Sequence, residues 1–316
     1  MKKVLATILA LVMALSVTTM AWADDVAKIG NTGYATLKEA IEHVANGETI
    51  VLTANVNNGD GIVVASGKNF TLDFAGHTYT ITQNVVGSTG TESQCFQLLK
   101  DSTITMKDGT IVANCAGAKM IIQNYCNLTL DNMILNATAG DNNVGYVVSN
   151  NCGNVVIKNG TTITAKTTGV AFDVYGGFGD YGDVSVTLEA GATVNGKVEV
   201  ARGSGNQNKN TLTVTGGTVN GDLAVTPNAK TEVAVTGGTF SSDVSAYAAG
   251  NTPVASNNGT YYVGAETIQN AANTLSAGQQ LKIEKGTVTI NGNTVTAGTS
   301  YTVPSRYYYY QPTTDT

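Results

Sequence analysis

Acidic and aromatic side chains crowd into one stretch of this chain, residues 173–202. Asp173, Asp180, Asp183, Glu189 and Glu199 are its densest carboxylates, and Arg202 follows closely. They surround the segment YGGFGDYGD, residues 175–183, whose glycines free the backbone and whose Tyr175, Phe178 and Tyr181 offer faces for stacking. Two chemistries use such residues. A glycoside hydrolase needs two carboxylates flanking the scissile bond. A polysaccharide lyase gathers carboxylates around Ca²⁺ and adds a basic residue as proton acceptor. A simpler role needs no chemistry, since a long solvated turn with its aromatic rings folded onto the protein has the same composition. Asp173, Tyr175, Phe178, Asp180, Tyr181, Asp183 and Arg202 are therefore candidate ligand-binding residues, and no residue is assigned as catalytic.

Elsewhere the reactive residue types are sparse. The two histidines are His43 and His77. His77 follows a strand-like run in LDFAGHT and reads as a turn residue bonded to a neighbouring segment, while His43 falls on the polar side of a helix. Neither spacing suits a catalytic triad or a zinc site. Cys95, Cys115, Cys126 and Cys152 are even in number, so disulfides are open to them. They also suit a ladder of small buried residues, and free buried thiols are the preferred reading. A GxGxxG-like string at 203–208 lacks the strand-to-helix setting that gives the motif meaning. No cofactor pattern is present, and Ca²⁺ would enter only if the chain were a lyase.

The elements that must position these residues follow from a repeated phrase: apolar, polar, apolar, glycine, Thr or Ala, then a β-branched or aromatic residue. It occurs around Gly109, Gly160, Gly191, Gly217, Gly238 and Gly286, with LTLDNMIL supplying a further copy in which Met133 stands near the glycine's place. A period of 20 to 30 residues marks a solenoid. Alternating apolar residues make each unit one of strands, so the expected fold is all-β, a parallel β-helix (β-solenoid) of about eight coils. VNGKVEV at 194–200, VNGDLAV at 219–225 and FSSDVSA at 240–246 match one another and predict a third short strand per coil.

Both ends should differ from the middle, because a solenoid otherwise exposes its core and unpaired strand edges. Residues 36–46 read as a helix with a Thr36/Glu39 capping box and an apolar face of Leu37, Ala40, Ile41 and Val44. A strand at 49–53 follows. The pattern returns 231 residues later, predicting a second helix at about 267–276 that covers the other end, adjoins it or opens a second small domain. The expected divisions are a signal peptide at 1–23, a capping segment with its helix at 24–47, the β-helix at 48–263, a helix with a short β segment at 264–302, and a Tyr/Pro/Thr tail or spacer at 303–316.

Lys2 and Lys3, the apolar run to Met20 and the small-x-small site Ala21-Trp22-Ala23 form an expected secretory signal peptide. Without its two lysines the chain carries 15 basic and 23 acidic residues, a formal charge of −8. Arg202 and Arg306 are the only arginines. This balance argues against nucleic acid and disfavours anionic polysaccharide. Trp22 leaves with the signal peptide, so any sugar platform must be built from Tyr or Phe.

Three phrases carry a resemblance. VAKIGNTGYATLKEAIEHVANGETIVL from Val26 resembles the opening of secreted β-helix proteins of gut-type bacteria. TLDFAGHTYTI from Thr71 is similar to their first-coil phrase. GGTFSSDVSAYAAG from Gly237, followed by NNGTYYV, resembles their closing repeat, and SRYYYYQPTT their spacer before an anchor. The resemblance implies a right-handed, pectate-lyase-like parallel β-helix that is exported and surface-associated. Most such proteins are called adhesin-like or are uncharacterised, and no agreed catalytic residues come with the motifs. The resulting expectation is a non-enzymatic adhesin-like or glycan-contacting module, with a glycan or a host or matrix surface as partner. Membrane contact would come only through a C-terminal anchor, which is not seen in this sequence. A carbohydrate-active enzyme or a structural spacer rod are the alternatives.

Overall fold

The computed structural model describes residues 25–201 and 208–305. The expected signal peptide, Arg202 and the run of tyrosines from Tyr307 lie outside the described residues. The protein is all-β, with its strands gathered into long parallel sheets.

Successive strands fall to three parallel ladders in turn. The first holds Thr49–Leu52, Asn69–Asp73, the opening halves of Thr103–Ala113 and Asn127–Asn136, then Gly153–Ile157, Val184–Leu188, Asn210–Val214 and Thr231–Val235. The second runs from Val56–Asp60 and Thr78–Gln83 through the closing halves of the two long strands to Thr162–Thr164, Thr193–Asn195, Thr218–Asn220 and Gly238–Phe240. The third is a seven-stranded sheet from Ile62–Val64 to Leu223–Val225.

The alternation seen in the sequence sets which side chains stack. In the first ladder Ile50, Leu72, Met106, Leu130, Ile157, Leu188, Val214 and Val235 occupy one register column, and all are buried. In the third, Ile62, Phe96, Ile122, Val148, Phe172 and Val198 do the same. A side-chain period of two sends the intervening residues to the outer face. Each core residue therefore meets its counterparts one strand before and one strand after.

The glycine phrase needs a correction. Gly160 does turn the corner with a left-handed backbone, φ 78°. Around Gly109 the left-handed residue is instead Asp108 (φ 57°), and Asn132 (φ 54°) does the same one strand on. Gly109 pairs in register with Met133 inside the ladder. Its lack of a side chain serves a close approach, since a methyl there would overlap Phe74 Cβ and the His77 carbonyl oxygen.

Helix α1 spans Leu37–His43, capped by Thr36 through reciprocal bonds with Glu39 (Glu39 N–H to Thr36 Oγ1, 3.1 Å; Thr36 N–H to Glu39 Oε2, 3.2 Å). Its Leu37, Ala40 and Ile41, with Val44 after it, join the main core. The helix stops before 46 because Val44 is already extended (ψ 129°). The hairpin of Ala27–Ile29 and Thr32–Tyr34 pairs antiparallel with Thr49–Leu52 and closes that edge of the first ladder.

A similar hairpin, helix and strand recur at the other end. Val254–Asn257 and Thr260–Val263 form a hairpin on Gly238–Phe240, helix α2 spans Ala265–Thr274, and Gln280–Lys285 pairs back on Val254–Asn257. Helix α2 begins earlier than expected because Gly264 (φ 89°) is its N-cap rather than Thr267. Ile268, Ala271 and Ala272 belong to a second, smaller core with Leu281, Ile283, Val288 and Ile290. So α2 adjoins the stack and packs a small unit of its own. The third strand expected at 240–246 is also absent. Ser245–Tyr247 is a 3₁₀ turn, drawn tight by the Asp243 carboxylate accepting the Ser245 N–H (2.8 Å).

Candidate functional site

The outer face of the third ladder carries a polar column. Gln97, Gln123, Ser149, Asp173 and Glu199 follow one another on neighbouring strands. Gln97 donates to Gln123 (3.1 Å), and Ser149 Oγ donates to an Asp173 carboxylate oxygen (3.1 Å). The other Asp173 oxygen accepts the Asn150 backbone N–H at 2.6 Å, and the Asn150 side chain donates to the Asp173 carbonyl at 2.9 Å. Asn150 is itself fully buried and accepts from Asn124 (3.4 Å), so an amide ladder at the corner fixes this carboxyl group.

Asp173 is only 7% exposed although it stands on an outer face. Tyr146 Oη, one strand before it, donates to Glu199 Oε2, one strand after it (3.3 Å), and this bond spans the Asp173 strand. Burial pushes the Asp173 carboxyl up to about 7, against the pull of the Asn150 N–H and the Ser149 hydroxyl, and the Glu199 carboxylate pushes it further the same way. Glu199 also pairs with Lys197.

Immediately after the strand Val170–Tyr175, the segment 176–183 folds back over earlier strands. Lys100 donates to the Asp180 carbonyl oxygen (3.2 Å) and holds its ammonium 5.9 Å from the Tyr181 ring centroid. Cys152 Sγ donates to the Tyr181 carbonyl oxygen (2.6 Å). Tyr125 is the ring beneath, 4.7 Å from Tyr181 and 5.9 Å from Phe178, and Phe178 meets Tyr175 edge-on at 5.7 Å. The result is a four-ring cluster whose top is open. Phe178 is 40% and Tyr181 36% exposed, and they make up half of the large hydrophobic side chains exposed among the described residues.

The seven sequence candidates thus separate. Asp173, Tyr175, Phe178 and Tyr181 come together on one face, with Glu199 beside Asp173. Asp180 sits in the same loop, exposed, and contributes its backbone carbonyl. Asp183 serves the loop's base, accepting the Lys209 N–H (2.8 Å) and, through its carbonyl, the Gly153 N–H (2.9 Å). Arg202 lies outside the described residues. Glu189 follows the first-ladder strand Val184–Leu188 and lies at a different corner. His77 contributes backbone bonds to Phe74 and Thr110, and His43 is exposed on α1, its ring 5.4 Å from Tyr34.

Sequence reasoning missed Tyr125, Lys100 and Tyr146. The signal for Tyr125 was its position. It directly follows the third-ladder strand Met120–Asn124, as Tyr175 ends the third-ladder strand Val170–Tyr175. Lys100 is 80 residues from Asp180, a separation no local pattern reveals. All four cysteines are free. Among the described residues no group of three or more His, Cys, Asp or Glu is placed to hold a metal, and no helix is long and apolar enough to cross a membrane. No protein-family model, curated protein or solved structure matches the chain.

Proposed function

We propose that the chain is a right-handed parallel β-helix, exported and surface-associated, and that it acts as a non-enzymatic glycan-contacting module of adhesin-like type. Three ladders visited in strict order support the first part, and the near-universal right-handedness of parallel crossovers supports its hand. The observation that carries the function is the open aromatic platform. Phe178 and Tyr181 are exposed rings that cost little conformational entropy to offer, packed against Tyr125 and Tyr175. Sugar rings present C–H faces that stack on such surfaces, and the polar column alongside supplies hydrogen-bonding groups. A glycan array probed with the purified chain tests this reading. Signal on neutral glycans is the expected result, and silence on every glycan and matrix protein would leave a spacer rod instead.

A second reading, a glycoside hydrolase, is favoured by one observation: Asp173 and Glu199 occupy register-paired positions on adjacent strands, about 4.8 Å apart in backbone. Against it, the Asp173 carboxyl is buried and held by two donors, and Glu199 is held by Lys197 and Tyr146. Release of reducing ends from a neutral polysaccharide, abolished in Asp173→Asn and Glu199→Gln, would establish the hydrolase.

A further inference from the structure

A trough of about 540 Å³ opens at the corner between the second and third ladders, at the opposite end of the same strands that lead to the aromatic loop. Thr138, Lys166, Thr168, Lys197, Asn220 and Asp222 line it, and apart from Ala165 and glycines every side chain in its wall is polar. Pockets of this size that take apolar ligands have predominantly apolar walls. The wall here is polar instead.

Its hydrogen-bonding groups are partly ordered and partly open. Asn220 Nδ2 donates to Asn195 Oδ1 (2.8 Å), and Asn195 Nδ2 donates to Thr164 Oγ1 (3.2 Å). That ladder orients Asn220, and its Oδ1 accepts no hydrogen bond from the described residues. The Asp222 carboxylate and the Thr168 hydroxyl have no protein partner among the described residues. Lys197 pairs with Glu199, and Lys166 donates to the Asn142 carbonyl, so each ammonium keeps further N–H donors for a guest. The wall itself carries two ammonium groups, Lys166 and Lys197, and one carboxylate, Asp222, while Glu199 beside it neutralises Lys197. Vicinal sugar hydroxyls, which donate and accept, match this mixture, whereas a uronate would meet the unpaired Asp222.

The strands Val170–Tyr175 and Lys197–Ala201 run from this trough to the aromatic loop, a distance of about 17–20 Å. We propose that the trough is a second sugar subsite taking a neutral hexose, and that with the aromatic loop it holds one neutral oligosaccharide laid across the third ladder. This rests on the glycan-contacting reading. It sets the occupant as an oligosaccharide long enough to span that strand length, rather than a single sugar. Neither end offers an enclosed apolar cavity, so each alone binds weakly and the linked ligand gains from occupying both.

The test is amide chemical-shift mapping on the ¹⁵N-labelled full chain, titrated separately with the methyl glycosides of glucose, galactose, mannose and N-acetylglucosamine and with glucuronate. At least one neutral glycoside is expected to shift the amides of Thr168, Asn220, Gly221 and Asp222. Asp222→Ala, an exposed position with no side-chain partner to lose, should weaken that response about tenfold and leave shifts at 176–182 unchanged. No response at the trough amides from any neutral glycoside, or an equal response in Asp222→Ala, overturns the subsite. A larger response to glucuronate overturns its neutral specificity. Shifts at the trough without shifts at the aromatic loop would count against the loop reading alone, and the reverse against the trough alone.

Discussion

Asp173→Asn should stabilise this protein at alkaline pH and do almost nothing at acid pH. The native Asp173 carboxyl sits near pKa 7, against about 3.8 for an exposed aspartate, chiefly because burial disfavours its charge. The native state therefore holds a proton that the unfolded chain has released throughout the interval between those values. By linkage, stability falls as pH rises through that window. Below about pH 4 both states are protonated and the group contributes no penalty. Above about pH 7 the full penalty is present, and about three pKa units at 1.36 kcal/mol each make it about 4 kcal/mol as an upper estimate. Asparagine removes the titration and keeps the shape. Its carbonyl oxygen can accept the Asn150 N–H, and its amide can donate to the Ser149 hydroxyl. The assay is urea denaturation of both proteins from pH 4 to 9, reading the difference between them so that other carboxylates cancel. The expected difference is near zero at pH 4 and grows to between 2 and 4 kcal/mol in favour of the variant by pH 8, flattening above it. A variant less stable by the same amount at every pH would refute the reasoning. So would one whose deficit grows with pH, since the ionised carboxylate would then be a net stabiliser through its two hydrogen bonds.

Other consequences follow from packing and polarity. Phe172→Ala empties a stacked position between Val148 and Val198 and should cost about 3–5 kcal/mol in chemical denaturation. Asn150→Ala leaves the Asp173 carbonyl and the Asn124 amide short of a partner and should cost about 1–3 kcal/mol. Gly109→Ala, although it carries no left-handed backbone, should destabilise by about 1–3 kcal/mol through overlap with Phe74, measured as a lower unfolding midpoint. Burial raises the Cys95 thiol far above the ordinary range and the Cys126 thiol to about 12, so a thiol reagent at pH 8 should label Cys115 first and reach Cys95 and Cys126 only on unfolding.

The architecture was legible because it is built from short-range regularities. Alternation in the repeated phrase around Gly191 and Gly217 announced the strands, and Thr36 with Glu39 announced the first helix. Where the sequence misled, one residue changed the local geometry. Gly264 moved the start of α2, and Asp243 tightened a turn where a strand was expected. Asp108 took the left-handed position that the neighbouring glycine seemed to claim. The site was only half legible. The loop 175–183 stood out by composition, and Asp173 and Glu199 as two of the densest carboxylates around it. Its floor and clamps come from Tyr125, Cys152 and Lys100, each just after a different third-ladder strand. Such contacts depend on how the segment folds back, which periodicity does not encode. The burial of Asp173 on an outward column was likewise unreadable, because the Tyr146–Glu199 bond that spans it joins residues 53 positions apart.

The central claim is that the exposed rings of Phe178 and Tyr181 make the third face a glycan-contacting surface. A glycan array run side by side with the wild-type chain and the double variant F178A/Y181A tests it most directly, with circular dichroism and unfolding midpoints matched beforehand. The account predicts signal on a set of neutral glycans for the wild type and its loss across that set in the variant. Equal signal from both proteins would contradict it.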